Sequence, residues 1–446
     1  MHKKRILIVG EVFVDQHLDI VQNGCSVSRL GGIFHAARCC HALDMEYALA
    51  YYAPSYLKKD IEYFARSVLH AVNVYCLGIV DKSPNVMLIG QSDECGNQQY
   101  NNILCQQAEY INQTNLYDIL KDFNPSDVVL FPGRYGNIEA LEQLSAFNGS
   151  IHIDMSYDCE DFMKQKWSVH FTTIFLSTSS TTFGSFFAAE DYSGIIQFFS
   201  SRNVNQLIVK ENRGGSWLYD YSCKEDFEAP AYPASIIHSV GVGDVYDIAY
   251  LSDVIDGDYI QKMALAAWIA MVYAKTLDHS KFCEDARSIT QNCLDFVGLD
   301  GVRVPWNERR NYPIYIAAPD FDYVDVKIID DLESDLNYHN FVAHRPVREN
   351  GQVNEAMHYS EKMAVFSKDM ELLSNCSIMI AVLLYNDQGT LVEIGNYQAA
   401  GKPIILYDPY KIANNMFLRN ACTEYCNTRS EVIDAVFGEM NRMVKE

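Results

Sequence analysis

The chain has 446 residues, more than one ordinary core holds, so two domains are expected. Its 49% hydrophobic and 21% charged residues describe a globular chain rather than a disordered one. A formal net charge of -23 repels phosphate backbones, which argues against a nucleic-acid partner and leaves small anions dependent on local positive groups or helix N-termini.

The basic start MHKK leads into an apolar run that stops at Glu11, too short for a secretory leader. Residues 5–9 (RILIV) read as a strand buried on both faces, ending at Gly10. VVLF (128–131), IHID (151–154), TIFL (173–176) and QLIVK (206–210) read the same way, with helical patterns between most of them. That alternation predicts a large parallel α/β domain. Between Val74 and about Tyr110 the pattern alternates around polar breaks and predicts a small β lid. The run Met263–Ala274 is too short to cross a bilayer and reads as a buried helix, so no membrane partner is expected. Gly, two Pro and a charge cluster interrupt residues 299–313, which sets the domains at 1–300 and 313–446 with a linker at 301–312. The second domain is expected to be a compact doubly wound unit. Thirteen cysteines are scattered, and neither Cys39-Cys40 nor Cys422-x-x-x-Cys426 has a second half at zinc spacing. Reduced thiols in a cytoplasm, and no metal site, are the expectation.

Two glycine-rich segments open helical patterns: Leu30-Gly31-Gly32-Ile33-Phe34-His35 and His238-Ser239-Val240-Gly241-Val242-Gly243-Asp244. Such openings let the backbone approach an anion that free N–H groups and the helix dipole favour. Asp244 reads either as an N-cap or as a base. His238 reads as a loop or supporting residue. Together with Gly10-Glu11-Val12-Phe13-Val14-Asp15, these segments occur in the order and separation of the ribokinase-like (PfkB) sugar kinases, and residues 4–298 resemble that family. The resemblance implies a ribokinase-like parallel-sheet domain using ATP and Mg2+. Under it Asp15, Gly31, Gly32 and His35 hold the sugar, while Gly241, Val242 and Gly243 cradle phosphate. Gly215 lies by the nucleotide strand, and Asp244 takes the proton of the accepting hydroxyl. Three positions depart from the pattern. His35 stands for the usual Asn, Ser177 to Ser180 for the metal-linked Asn-x-x-Glu, and Lys210-Glu211-Asn212 for Thr-x-Gly. Two readings stay open, a kinase with turnover and a nucleotide-sensing domain that binds without it.

Near the C-terminus, Asp387 and Glu393 flank a Gly-Thr turn between an apolar run and a helical pattern closed by Gly401-Lys402-Pro403. A strand, turn and helix opening puts both carboxylates at the C-terminal edge of a parallel sheet, where open α/β folds hold ligands. Paired carboxylates there suit glycosidic chemistry. Thr390-x-x-Glu393 also fits a capping box. The segment resembles the signature of the nucleoside 2-deoxyribosyltransferase family, as does Tyr315 in YPIYIAAP, with Ala318 in place of the usual Gly. Asp369 matches the Asp that begins the family's preceding helix, and Asn414, with Asn415 as the near alternative, matches an Asn-x-Met lent to a neighbouring subunit. This resemblance covers residues 313–446 and implies a flavodoxin-like doubly wound domain without a cofactor. It implies Glu393 as nucleophile, Tyr315 positioning it, Asp369 and Asp387 assisting the base and sugar, and a homo-oligomer acting on a small-molecule nucleoside or nucleotide.

The fusion implies linked substrates. The first domain would make a nucleoside 5′-phosphate for the second to cleave, or would phosphorylate the released sugar. Asp320, Asp322 and Asp325 would repel a 5′-phosphate, and His344, Arg345 and Arg348 would attract one. The latter group also reads as a solvated basic loop.

Overall fold

The computed structural model describes residues 4–22, 25–90, 100–105, 109–135, 137–156, 163–164, 167–186 and 191–445. The chain divides into two compact units, the first closing at Arg303 and the second opening at Val304.

The first unit is built on a ten-stranded sheet. Seven parallel strands form its body, in the order Val204–Lys210, Phe171–Ser177, Ser150–Asp154, Asp127–Phe131, Arg5–Glu11, Glu46–Pro54 and Asn73–Asp81. Antiparallel strands Ser216–Asp220 and Glu225–Ala229 extend one edge, and Glu109–Asn112 the other. Continuous apolar runs such as RILIV occupy the middle because helices cover both faces of a parallel sheet. The chain leaves Arg5–Glu11 in opposite directions on its two sides. The topological switch point therefore lies between that strand and Asp127–Phe131. The expected strands are all present, each longer by one to three residues. Glu46–Pro54 was not among them, because its three alanines carry little β preference.

The lid differs from expectation. Asn73–Asp81 and Glu109–Asn112 belong to the main sheet, while a separate four-stranded sheet orders Cys25–Leu30, Val14–Gln22, Val86–Ile89 and Asn101–Asn102. The chain enters this small sheet directly after the first strand, which the sequence pattern of residues 14–30 did not betray. Residues 91–99 and 106–108 of the expected lid lie outside the described residues. Helices Phe34–Ala42, Val242–Leu251, Tyr259–Ala274 and His279–Gln291 pack together over the apolar core. Among the described residues no helix is long and apolar enough to cross a membrane.

The second unit is a five-stranded parallel sheet. Its order is Ala343–His344, Ile314–Ala317, Ile378–Val382, Ile404–Tyr407, Glu424–Cys426, which in chain sequence is 2-1-3-4-5, the doubly wound order expected. The switch point falls between Ile314–Ala317 and Ile378–Val382. Helices Lys327–Tyr338, Tyr359–Asn375, Gln388–Ala399 and Arg429–Lys445 complete the unit.

Candidate active site

In the second unit, Tyr315 is the second residue of Ile314–Ala317 rather than its end, and Glu393 lies on the helix that follows the adjacent strand. The two strands at the switch point thus bring these side chains together. The Tyr315 hydroxyl donates to Glu393 Oε1 at 2.6 Å. Tyr315 is sealed from solvent, and Glu393 is half-buried. Desolvation pushes the Glu393 carboxyl up to about 7; the Tyr315 hydrogen bond opposes this, and the charges of Asp369 and Asp387 add to it. Burial, with the Glu393 charge, pushes the Tyr315 hydroxyl up, so it remains a donor.

Asp387 is the N-cap of Gln388–Ala399. Its Oδ2 accepts from the Thr390 amide at 2.7 Å and the Thr390 hydroxyl at 2.9 Å. The capping-box reading is therefore corrected: Thr390 is not the cap, and Glu393 is released from capping to meet Tyr315. Asp369 does not begin a helix. The helix starts at Tyr359, capped by His358 and Glu361, and Asp369 lies well inside it. Its carboxyl is pushed up by burial, opposed by the Asn350 side-chain amide that donates to Oδ1 at 2.8 Å. Asn415 caps Met416–Ala421 by accepting from the Phe417 amide at 2.8 Å, and Asn414 is exposed. Among the described residues neither hydrogen-bonds the Glu393 cluster.

Within the basic segment, Arg345 departs from both readings, while Arg348 is exposed. Arg345 is 2% exposed and bonds Asp320 through two nitrogens at 2.6 and 2.8 Å, with Asp330 at 2.6 Å and Glu333 at 2.7 Å. It is neither solvated nor free for phosphate, because acidic side chains from the helix Lys327–Tyr338 and the loop before it enclose it. Arg348 bonds Asp330 and His344 bonds Glu349.

In the first unit, Asp15 lies on the small sheet, 1% exposed. His35 Nε2 is 3.1 Å from Asp15 Oδ2, and His35 Nδ1 is 2.7 Å from the Tyr273 hydroxyl. Burial lowers the His35 imidazole to about 4, so it is neutral and its Nε2–H donates to Asp15 while Nδ1 accepts. The Asp15 carboxylate is held low despite its burial, chiefly by His35 and then by Arg29. A side chain on Gly31 would strike the Asp15 carboxylate, which is why glycine stands there. Gly241 has φ +72 and faces His35 closely, so it needs glycine on both counts. Gly32 forms the turn before the helix of His35, and Val242 and Gly243 open the helix Val242–Leu251.

Asp244 is half-buried in that first turn. Burial, then the neighbouring charge of Asp154, pushes its carboxyl up to about 7. Beneath the turn, Lys210 Nζ reaches Asp247 at 2.8 Å, Asp154 at 3.0 Å and the Gly243 carbonyl at 3.4 Å. Gly215 has a hairpin role: its carbonyl accepts from the Glu211 amide between Val204–Lys210 and Ser216–Asp220. His238 is buried, with Nε2 3.1 Å from the Thr276 carbonyl.

Residues 314–428 match the family model described as nucleoside 2-deoxyribosyltransferase. The second unit carries a domain of that family. No curated protein matches the chain. Solved structures similar to it include Arabidopsis thaliana ribokinase complexed with ribose and ATP, at 12% identity over 67% of this chain and 100% of that chain, TM-score 0.48. They also include fructokinase from Xylella fastidiosa with bound ATP, at 13% identity, 65% and 99% coverage and TM-score 0.49. A nucleoside kinase from Methanocaldococcus jannaschii aligns at 16% identity, 64% and 99% coverage and TM-score 0.42.

Outside the deoxyribosyltransferase domain, sequence reasoning missed two residues. Lys210 was read only as a departure from Thr-x-Gly at the end of an expected strand, although a Lys closing an otherwise apolar buried strand is itself a signal. Glu11 is 5% exposed at the switch point, in a small pocket shared with Tyr52, Phe131, Gly133 and Tyr135, and accepts from the Arg134 amide. Its place at the end of the first strand was the available signal.

Proposed function

We propose that the deoxyribosyltransferase domain breaks the N-glycosidic bond of a nucleoside or nucleoside 5′-monophosphate through Glu393. The observation that carries this is the 2.6 Å hydrogen bond from Tyr315 to a half-buried carboxyl at the switch point of the sheet. The ionised Glu393 carboxylate attacks C1′, the C1′–N bond breaks, and its electron pair leaves with the base. Asp369, raised by burial, supplies the proton the base needs. Asp387, held by Thr390, orients the sugar. Water or a second base then displaces Glu393 from the glycosyl ester, which decides between hydrolysis and transfer. Since Arg345 is fully paired, it is not the group that would read a 5′-phosphate.

The test is incubation with a panel of nucleosides and their 5′-monophosphates, with products read by mass spectrometry. Free base is expected from wild type, and an adduct of sugar mass on Glu393 under quenching. Glu393→Ala that stays folded yet releases base at the wild-type rate ends this reading.

The N-terminal unit, on this reading, holds a sugar or nucleoside hydroxyl at Asp15 and phosphate at the amides of Gly241–Gly243, with Asp244 near 7 as the base. The helix opening fits the phosphates of ATP. Magnesium fits less well, because residues 177–180 offer hydroxyls in place of carboxylates and Lys210 engages Asp154 and Asp247. That same observation favours a second reading, a domain that binds nucleotide without turnover and regulates base release. ATP-dependent phosphorylation that vanishes in Asp244→Ala supports the kinase; base release modulated by nucleotide with no ATP consumed supports the sensor. A homo-oligomer belongs to the proposal, and the exposed Met416 and Phe417 beside Asn414 and Asn415 support it. Light scattering on the purified chain reads it directly.

A further inference from the structure

Three residues far apart in sequence converge on the face of the first unit where helices Phe34–Ala42 and His279–Gln291 pack together. His41 lies on the last turn of the first helix. His279 opens the second, and Cys283 stands one turn later on the same face. His41 Nδ1 is 2.9 Å from His279 Nε2. Cys283 Sγ is 3.4 Å from His279 Nε2 and 3.6 Å from His41 Nδ1. Two imidazole nitrogens and a sulfur bound tetrahedrally to zinc, with bonds of about 2.0–2.1 and 2.3 Å, would stand about 3.3–3.6 Å apart. The two sulfur–nitrogen distances fall in that range, while the two nitrogens stand closer, at the spacing of a hydrogen bond, and would spread by a few tenths of an ångström around a metal. The ring of His70 packs edge-on against His41 at 5.0 Å.

We propose that His41, His279 and Cys283 form a zinc site, with water in the fourth position, that ties the helix bearing His35 to the helix following Tyr273. A set of two imidazoles and one thiolate is borderline-soft and selects zinc over magnesium or calcium. On binding, the Cys283 S–H bond breaks, its proton goes to solvent and the thiolate pair becomes a metal bond. Burial lowers His279 to about 4 and also lowers His41, so both imidazoles are unprotonated and ready to ligate. Burial raises the Cys283 thiol, so metal binding must displace its proton. Asp44 and Asp278 face the cluster and offset the positive Arg38 and Arg287. The sequence hid the site because His41 and His279 are 238 positions apart; only His279-x-x-x-Cys283 was visible as a spacing.

The full-length chain, stripped with a chelator, is titrated with zinc and separately with cobalt. Wild type is expected to take one zinc per chain, to melt at a higher temperature with it, and to show a thiolate-to-cobalt charge-transfer band. Cys283→Ser and His279→Ala should each weaken zinc binding at least about tenfold, and Cys283→Ser should erase the band. Zinc bound equally by wild type and both variants overturns the proposal, as does a cobalt complex of wild type without the band, which needs no variant to fold.

Discussion

Tyr315 donates its hydroxyl proton to Glu393 Oε1 from a strand position closed to solvent, so the bond cannot be replaced by water when the tyrosine is lost. A hydrogen bond to the ionised form favours ionisation, and its removal must raise the Glu393 carboxyl further above about 7. Base release needs the Glu393 carboxylate and the Asp369 proton, so its rate in wild type should rise with pH through a midpoint of about 7 and fall again once Asp369 gives up its proton. In Tyr315→Phe the midpoint should move upward by about one to two pH units, from the roughly 1.5–3 kcal/mol that such bonds contribute. A pH–rate profile of free-base formation checks this; an unmoved midpoint would assign Tyr315 to packing alone.

The same shift has a stability consequence. A carboxyl raised in the folded state binds its proton more tightly there than in the unfolded chain. Its contribution is thus fully present below about 4.5 and is lost as pH climbs through about 7. Glu393→Gln removes the group that must ionise in a desolvated site. The variant should match wild type near pH 4.5 and exceed it by about 3 kcal/mol at pH 8, while losing base release. Thermal melts at the two pH values decide it, and an equal difference at both would show that burial does not govern Glu393.

Much of this arrangement was legible from residue types, and the remainder was hidden for physical reasons. The carboxylates at the sheet edge followed from a strand, a glycine turn and a helix opening, and the doubly wound order from the family resemblance. What failed was local competition for hydrogen bonds. Asp387 and Thr390 are both good caps, and only the backbone path decides which one takes the helix. Arg345 looked solvated because its partners Asp320, Asp330 and Glu333 lie on other elements. In the first unit the central strands announced themselves by continuous apolar runs, whereas Glu46–Pro54, rich in alanine and tyrosine, did not. His35 departed from the expected Asn, yet it bonds Asp15 and Tyr273 at once, which no linear spacing reveals.

Asp387 combines a cap with a charge, and two substitutions separate them. Asparagine caps a helix about as well as aspartate, while alanine forfeits about 1 kcal/mol. Asp387→Asn should keep the melting temperature and lose base release. Asp387→Ala should lose both. An active Asp387→Asn would restrict the residue to capping.

Asp244 should matter to the first unit alone. Asp244→Asn keeps the helix opening but cannot accept a proton, so ATP-dependent phosphorylation of a sugar or nucleoside should fall at least about a hundredfold. Because burial and Asp154 hold this carboxyl near 7, wild-type phosphorylation should decline as pH falls below that value. Coupled measurement of ADP and phosphorylated product across pH reads both effects, and phosphorylation surviving in the variant would remove Asp244 from the chemistry.

Arg345 holds Asp320 by two hydrogen bonds, and both side chains are largely closed to water. Removing one partner of such a pair leaves an uncompensated buried charge, at about 3–5 kcal/mol, whereas replacing both with apolar side chains restores much of the loss. Arg345→Met should therefore lower the denaturation midpoint sharply, and Arg345→Met combined with Asp320→Leu should recover part of it. If Arg345 instead received a substrate phosphate, the single variant would stay stable and lose affinity for nucleoside 5′-monophosphates only. Urea melts beside substrate titrations distinguish the two, and the four acceptor contacts around this guanidinium support the first outcome.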